Sequence, residues 1–211
     1  MSDDSYSSLK GSEARLWALI ASRGREGADK AAIDARIWDL FGEEWAVMFT
    51  DLTGFSRQVE AFGILHFLQE IHAQQQLLFP LIESHDGILI KTEADSLLVI
   101  FRRAISAVHC AIAMQKACRK YNAHRAPEDM VLLCVGLGYG RILKIGDQDV
   151  YGREVNAASK LGEDTAKANE ILVTRGVRDA CEPVDGVLFE SLEVRVPGSQ
   201  ENFSVRYDST P

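Results

Sequence analysis

Asp51 closes the short apolar run "VMFTDL" and is followed at once by "TGFS". A carboxylate at the end of a buried strand is costly to desolvate unless it is paired or binds a cation. On local grounds an N-cap role, for a helix beginning near Phe55, accounts for it equally well. Asp95 lies in "KTEADS", where turn chemistry alone explains an Asp. Taken together, the two are hard oxygen ligands with open positions, a set that suits Mg²⁺ shared with the phosphates of a substrate. Thr53, Gly54, Phe55 and Ser56, at the start of a predicted helix, offer backbone N–H groups to those same phosphates. Further along, "VNAASKLGED" carries Asn156 and Lys160 four residues apart, hence on one helix face. Lys160 is either one more solvated charge or the group that steadies a reacting phosphate.

These residues act together only if the chain brings them together. "WAVMFTDL" reads as a buried strand, and "FSRQVEAFGILHFLQEIHAQQQLLFPLIESHDG" as mostly helical, with a turn at Gly63 and a kink from Pro80 in its last turns. "GILIKTEADSLLVIF" is a predicted hairpin with "KTEAD" at its tip, and "RRAISAVHCAIAMQKACRKYNAH" a long amphipathic helix. "MVLLCVGLGYG" and "RILKIG" follow as two strands, with Gly138 and Gly140 permitting a sharp turn, then "DQDVYG" as a loop and the helix of Lys160. A short strand "EILVT", a short helix "RGVRDAC" and the strands "VLFESLEVRV" and "NFSVRYD" close the chain. Strand, helix, hairpin, helix, strand is a split βαβ order. The expected fold is therefore α+β, a ferredoxin-like antiparallel sheet with flanking helices and a C-terminal extension. In such a sheet the first strand runs beside the hairpin, so Asp51 at its end and Asp95 at the tip can converge. "GLGYG" is not a dinucleotide fingerprint, because its third Gly comes one residue early and a strand follows.

Two helices are predicted ahead of this fold, over 9–22 and 29–41, the second with Asp29 as N-cap and Gly42 as its stop. The second carries Ile33, Ile37, Trp38, Leu40 and Phe41, a wide apolar set that needs to pack on the body of the protein or on a second copy.

Hydrophobic residues make up 46% and charged residues 26%, the balance of a soluble globular domain. No apolar stretch reaches a membrane span, and the polar, acidic start "MSDDSYSSLKGSEAR" has no signal-peptide core, so a cytoplasmic location is expected. The net charge of −8, with no basic run, argues against nucleic acid as partner. Cys110, Cys118, Cys134 and Cys181 show no paired framework and read as buried reduced thiols. His66 and His72, six apart, fall on different helix faces and do not suggest a shared metal.

"FTDLTGFS", "KTEAD" and "DVYGREVNAASKL" resemble, in order and spacing, the three signature blocks of the class III adenylate/guanylate cyclase catalytic domain. The resemblance divides the chain into an N-terminal helical segment, 1–43, and a cyclase-like catalytic domain, 44–211. It implies that Asp51 and Asp95, helped by the Leu52 carbonyl, bind two ions of Mg²⁺ or Mn²⁺. It implies that Lys91 and Asp149 read the base, and that Asn156 orients the ribose. Thr53, Gly54, Phe55, Ser56 and Arg195 are the implied phosphate contacts, and Lys160 stands where the family places a transition-state Arg. A Lys donates to a purine ring nitrogen and a carboxylate accepts from the exocyclic amine of adenine, so Lys91 with Asp149 implies ATP. The family draws its metal ligands from one chain and its base and ribose contacts from the other. A chain with both sets is implied to form a homodimer with two equivalent sites.

Three positions depart from the pattern: Ala94 replaces a Gly, Pro197 stands where a phosphate-gripping Lys is usual, and Lys160 replaces the Arg. Arg bridges two oxygens with a planar fork and Lys is a point charge, so the last exchange is not conservative. Two functions therefore stay open. One is an adenylate cyclase making cyclic AMP and pyrophosphate, and the other a cyclase-fold nucleotide-binding or regulatory module without turnover. Residues 1–43 are expected to dimerise or to receive a signal from an upstream regulator.

Overall fold

The computed structural model describes residues 12–53, 60–181 and 183–207. Its centre is set by the two most continuous apolar runs. Trp45, Ala46, Val47 and Met48 are consecutive and buried in β1 (Gly42–Leu52), and Leu97 to Phe101 are buried in β3 (Ser96–Phe101). Consecutive rather than alternating burial means that both faces of these strands are covered, which places them inside a sheet. β1 pairs antiparallel with β3 on one side and with β4 (Leu133–Ile145) on the other, and β2 (Ile88–Glu93) forms the outer strand of the hairpin with β3.

The full order is β2-β3-β1-β4-β6-β8-β7, where β6 is Ile171–Thr174, β7 Val187–Leu192 and β8 Asn202–Tyr207. The first four strands keep the split βαβ order. β6 joins parallel to β4, so the sheet is mixed and not wholly antiparallel. A helical crossover lies between these two strands, and that connection permits parallel pairing.

Two long helices, α3 (Ile64–Ser84) and α4 (Ala104–Asn122), cover one face. Leu78, Ile82, Val108, Ala111 and Met114 form one core there with Met48, Val99, Leu133 and Leu137. α3 continues through Pro80 to Ser84, and Gly63 precedes it at φ 86°. The other face carries the two-turn helix α5 (Arg153–Ser159), through Val155 and Ala158 against Val47, Leu98, Ile100 and Ile142, and the short turn Lys160–Thr165 that follows it. This thinly covered face holds the candidate site.

β4 is one strand of thirteen residues, not two with a turn between them. Its glycines clear the way for α5. A Cβ at Gly136 would stand 2.1 Å from the Ala158 carbonyl oxygen, and one at Gly138 would stand 2.4 Å from that of Glu154. The predicted loop after β4 contains a further strand, β5 (Asp149–Tyr151), which folds back on β4 with Ile145 opposite Asp149 and Leu143 opposite Tyr151.

At the N-terminus α1 (Ser12–Arg23) and α2 (Lys30–Phe41) form a hairpin of helices. Asp29 caps α2, accepting from the Ala32 N–H at 3.0 Å. Leu16, Ile37 and Phe41 pack on Ile145 at the end of β4, whereas Leu40 stays 44% exposed. All four cysteines are free and buried. Among the described residues no helix is long and apolar enough to cross a membrane.

Candidate active site

β1 and β3 run antiparallel with Thr50 opposite Leu97, which sets Asp51 beside the base of the β2–β3 turn. Ser96 Oγ donates to Asp51 Oδ1 at 3.3 Å. Asp95 is 7% exposed, and its Oδ2 has no hydrogen-bond partner among the described residues. The Leu52 backbone N–H favours the ionised form of both carboxyls. Burial outweighs it. Desolvation, with the neighbouring charge of Asp95, pushes Asp51 up to about 6, and desolvation likewise raises Asp95.

Two desolvated carboxyls, one with an orphaned oxygen, fit a divalent cation, which would repay the burial of their charge. Among the described residues no group of three or more His, Cys, Asp or Glu is placed to hold an ion. A cation here would therefore complete its shell from backbone, water or substrate oxygens.

The raised pKa has a sign that can be tested. Asp51 titrates near 3.9 when unfolded and higher when folded, so the native state holds the extra proton. Its stabilising contribution is complete below pH ~4 and is lost as pH rises through 6. In EDTA, Asp51→Asn should flatten the fall in stability between pH 5 and 7, removing a change on the order of 1–2 kcal/mol. Urea midpoints that fall equally in both proteins would contradict this.

The turn itself is tight. Glu93 pairs with Ser96, leaving Ala94 and Asp95 as its two central residues, and Ala94 is left-handed at φ 52°. Gly at the first central position suits such a turn, whereas an L side chain there is strained. Ala94→Gly should raise stability by about 0.5–1 kcal/mol, the relief being partly offset by the freer unfolded chain. A lower midpoint in the Gly variant would contradict this.

Lys91 on β2 and Asp149 on β5 meet at a second point. Lys91 Nζ donates to Asp149 Oδ2 at 2.5 Å, the Tyr151 hydroxyl donates to the same oxygen at 3.0 Å, and the Val150 N–H donates to Oδ1 at 2.9 Å. Burial works to raise Asp149, but these donors hold it below its usual range, and Asp149 in turn raises Lys91. The pair rims a cavity of about 180 Å³ with apolar walls from Phe49, Leu98 and Val155, and with Ser96 and Glu163 also on its lining. The hairpin thus carries both ends of the arrangement, with Asp95 at its tip and Lys91 on its outer strand.

The third group of expected residues lies elsewhere. Val155, Ala157 and Ala158 are buried, which leaves Asn156 exposed on the outer face of α5; Lys160, just past its end, is exposed too, and neither lines the cavity of its own chain. The α-helix ends at Ser159, and Lys160 opens a π-helical turn, Lys160–Thr165. Its Nζ donates to Asp164 Oδ2 at 2.5 Å, with the two side chains 49% and 58% exposed. Arg195 is exposed and is not on the cavity wall.

Thr53 also departs from expectation. Its N–H is spent on the Leu132 carbonyl at 2.9 Å and is not free for a phosphate. Gly54, Phe55, Ser56 and the helix start predicted near them lie outside the described residues. Sequence reasoning missed Ser96, Tyr151, Glu163 and Gln74. Gln74 donates to the Asp95 backbone carbonyl at 2.8 Å. Its one sequence signal is that, with Glu70, it falls at the spacing of the buried stripe Phe67, Leu78 and Ile82.

Residues 42–205 match the model of the adenylate and guanylate cyclase catalytic domain. An adenylate cyclase of Streptomyces coelicolor is 31% identical over 170 residues, 74% of this chain and 40% of that protein. A putative adenylate cyclase 3 of Rhizobium meliloti is 29% identical over 134 residues, 64% of this chain and 22% of that protein. The chain thus spans less than half the length of these relatives. The crystal structure of an adenylate/guanylate cyclase/hydrolase from Silicibacter pomeroyi superposes with a TM-score of 0.69 at 21% identity, covering 79% of this chain and 96% of that one. A strand-end carboxylate beside a hairpin-tip carboxylate, on a sheet of this order and over a match of this extent, places the chain in the class III adenylate/guanylate cyclase catalytic domain family.

Proposed function

We propose that the chain is an adenylate cyclase, converting ATP to 3′,5′-cyclic AMP and pyrophosphate. The observation that carries this is the buried Asp51–Asp95 pair beside a cavity rimmed by Lys91 and Asp149. In the reaction the ribose 3′ oxygen attacks the α-phosphorus in line. The bond to the β-phosphate oxygen breaks, pyrophosphate leaves with the electron pair, and the hydroxyl proton passes to solvent. No protein nucleophile is required.

Asp51 and Asp95, with the Leu52 backbone, would hold Mg²⁺ or Mn²⁺. When bound, such ions neutralise triphosphate charge and make the 3′-hydroxyl easier to deprotonate. Lys91 donates to the purine ring and Asp149 accepts from the adenine amine, whereas guanine would present a carbonyl to that carboxylate. Asn156 orients the ribose, and Lys160 meets the charge that builds on the α-phosphate oxygens. Both sit on an exposed helix face, turned from the cavity of their own chain. That position suits residues completing the site of a second copy, so the active form is proposed to be a homodimer with shared sites.

One observation favours a second reading. Lys160 replaces an Arg and is engaged by Asp164, as in a binding or regulatory module that has lost turnover. The deciding experiment gives the purified protein ATP with Mg²⁺ or Mn²⁺ and measures cyclic AMP, with Asp51→Ala as background. Product above background, and less with GTP, is expected. ATP binding with no product above that background would leave only the binding module.

A further inference from the structure

Gln74 breaks an apolar stripe. On the sheet-facing side of α3 the buried residues are Phe67, Glu70, Gln74, Leu78 and Ile82, and Gln74 is fully buried. An amide there is costly, since its Oε1 has no hydrogen-bond partner among the described residues. A Leu or Met would fill the same space without that cost. What the amide adds is direction. Its Nε2 donates at 2.8 Å to the backbone carbonyl of Asp95, from a helix packed behind the sheet to the tip of a hairpin 21 residues further along the chain.

The turn that receives this bond is poorly held by its own sequence, because Ala94 occupies a left-handed conformation that Gly would take more readily. The Asp95 carboxyl has one oxygen free of hydrogen bonds among the described residues, while its backbone carbonyl is fastened to α3. We propose that Gln74 is a positioning residue for cation binding, holding the strained turn so that Asp95 stays facing Asp51. The inference rests on the proposed role of Asp95 as a cation ligand.

The test is Mn²⁺ titration calorimetry on the full chain, comparing the parent, Asp95→Asn and Gln74→Met, each checked for a folded melting transition. Gln74→Met should raise the Mn²⁺ Kd by roughly 10-fold, the usual effect of losing a group that orients a metal ligand. A purely structural Gln74 would lower the melting temperature and leave the Kd of the folded protein unchanged. A Kd within twofold of the parent in Gln74→Met, with binding lost in Asp95→Asn, overturns this inference and leaves the proposed function standing. No Mn²⁺ binding by the parent, or parent-like binding by Asp95→Asn, overturns the cation site and this inference with it. Should Gln74→Met not fold, the Gln74 side-chain amide signals of the parent serve in its place. Mg²⁺ should shift them in the parent and leave them in place in Asp95→Asn, and the absence of a shift in the parent overturns the inference.

Discussion

Lys160→Ala should slow cyclic AMP formation by about 10²–10³-fold, the usual cost of removing one donor to a developing oxyanion. The melting temperature should move by no more than about 1 °C, because an exposed i,i+4 ion pair contributes little to stability. Lys160 is half exposed, and its only ion-pair partner among the described residues is the equally exposed Asp164. Loss of rate without loss of fold is therefore the signature to look for. Lys160→Arg should match or exceed the parent, since a guanidinium can bridge two phosphate oxygens where an ammonium meets one at a time. Initial rates at saturating ATP, with melting curves on the same samples, measure both. An Ala variant as fast as the parent would return Lys160 to the role of a solvated charge.

Gly136→Ala should be the most damaging single methyl in the described chain. The added Cβ would meet the Ala158 carbonyl oxygen at 2.1 Å and the Gly162 nitrogen at 2.3 Å, both backbone atoms that cannot rotate away. Either β4 or the α5 segment must shift, and overpacking of this kind costs about 3 kcal/mol or more. Gly24→Ala is the control. Its Cβ would find only ordinary contacts, the nearest at 3.6 Å, in a conformation that Ala accepts, so a change within about 0.5 kcal/mol is expected. Chemical denaturation of the three proteins decides the matter, and a Gly136→Ala midpoint equal to the parent would contradict the packing described. Asn156 and Lys160 ride on the displaced segment, so turnover should fall along with stability.

What could be read in advance follows from what is local. The apolar runs of β1 and β3 are continuous because both faces are covered, and that signal is written in the residues themselves. The meeting of Asp51 with Asp95 follows from strand order alone. Gly138 misleads, because a glycine that opens a turn and one that admits a helix look alike in sequence. Only the eleven-residue pairing of β4 with β1, from Gly42–Leu143 to Leu52–Leu133, shows that the strand does not break. The four-residue spacing of Asn156 and Lys160 puts them on one face, but which face turns inward is settled by the burial of Val155, Ala157 and Ala158. The bond from Gln74 to Asp95 joins distant segments through a backbone atom and leaves little trace in composition.

Ile145 holds two positions at once. It is the seat of the N-terminal helices, beneath Leu16, Ile37 and Phe41, and it is the ladder partner of Asp149. The family match begins at residue 42, yet the apolar cluster that backs this end of β4 is completed from residues before it. Homology and folding therefore draw their borders in different places. A protein trimmed to the matched region would bare Ile145 to solvent and loosen the short strand that carries Asp149.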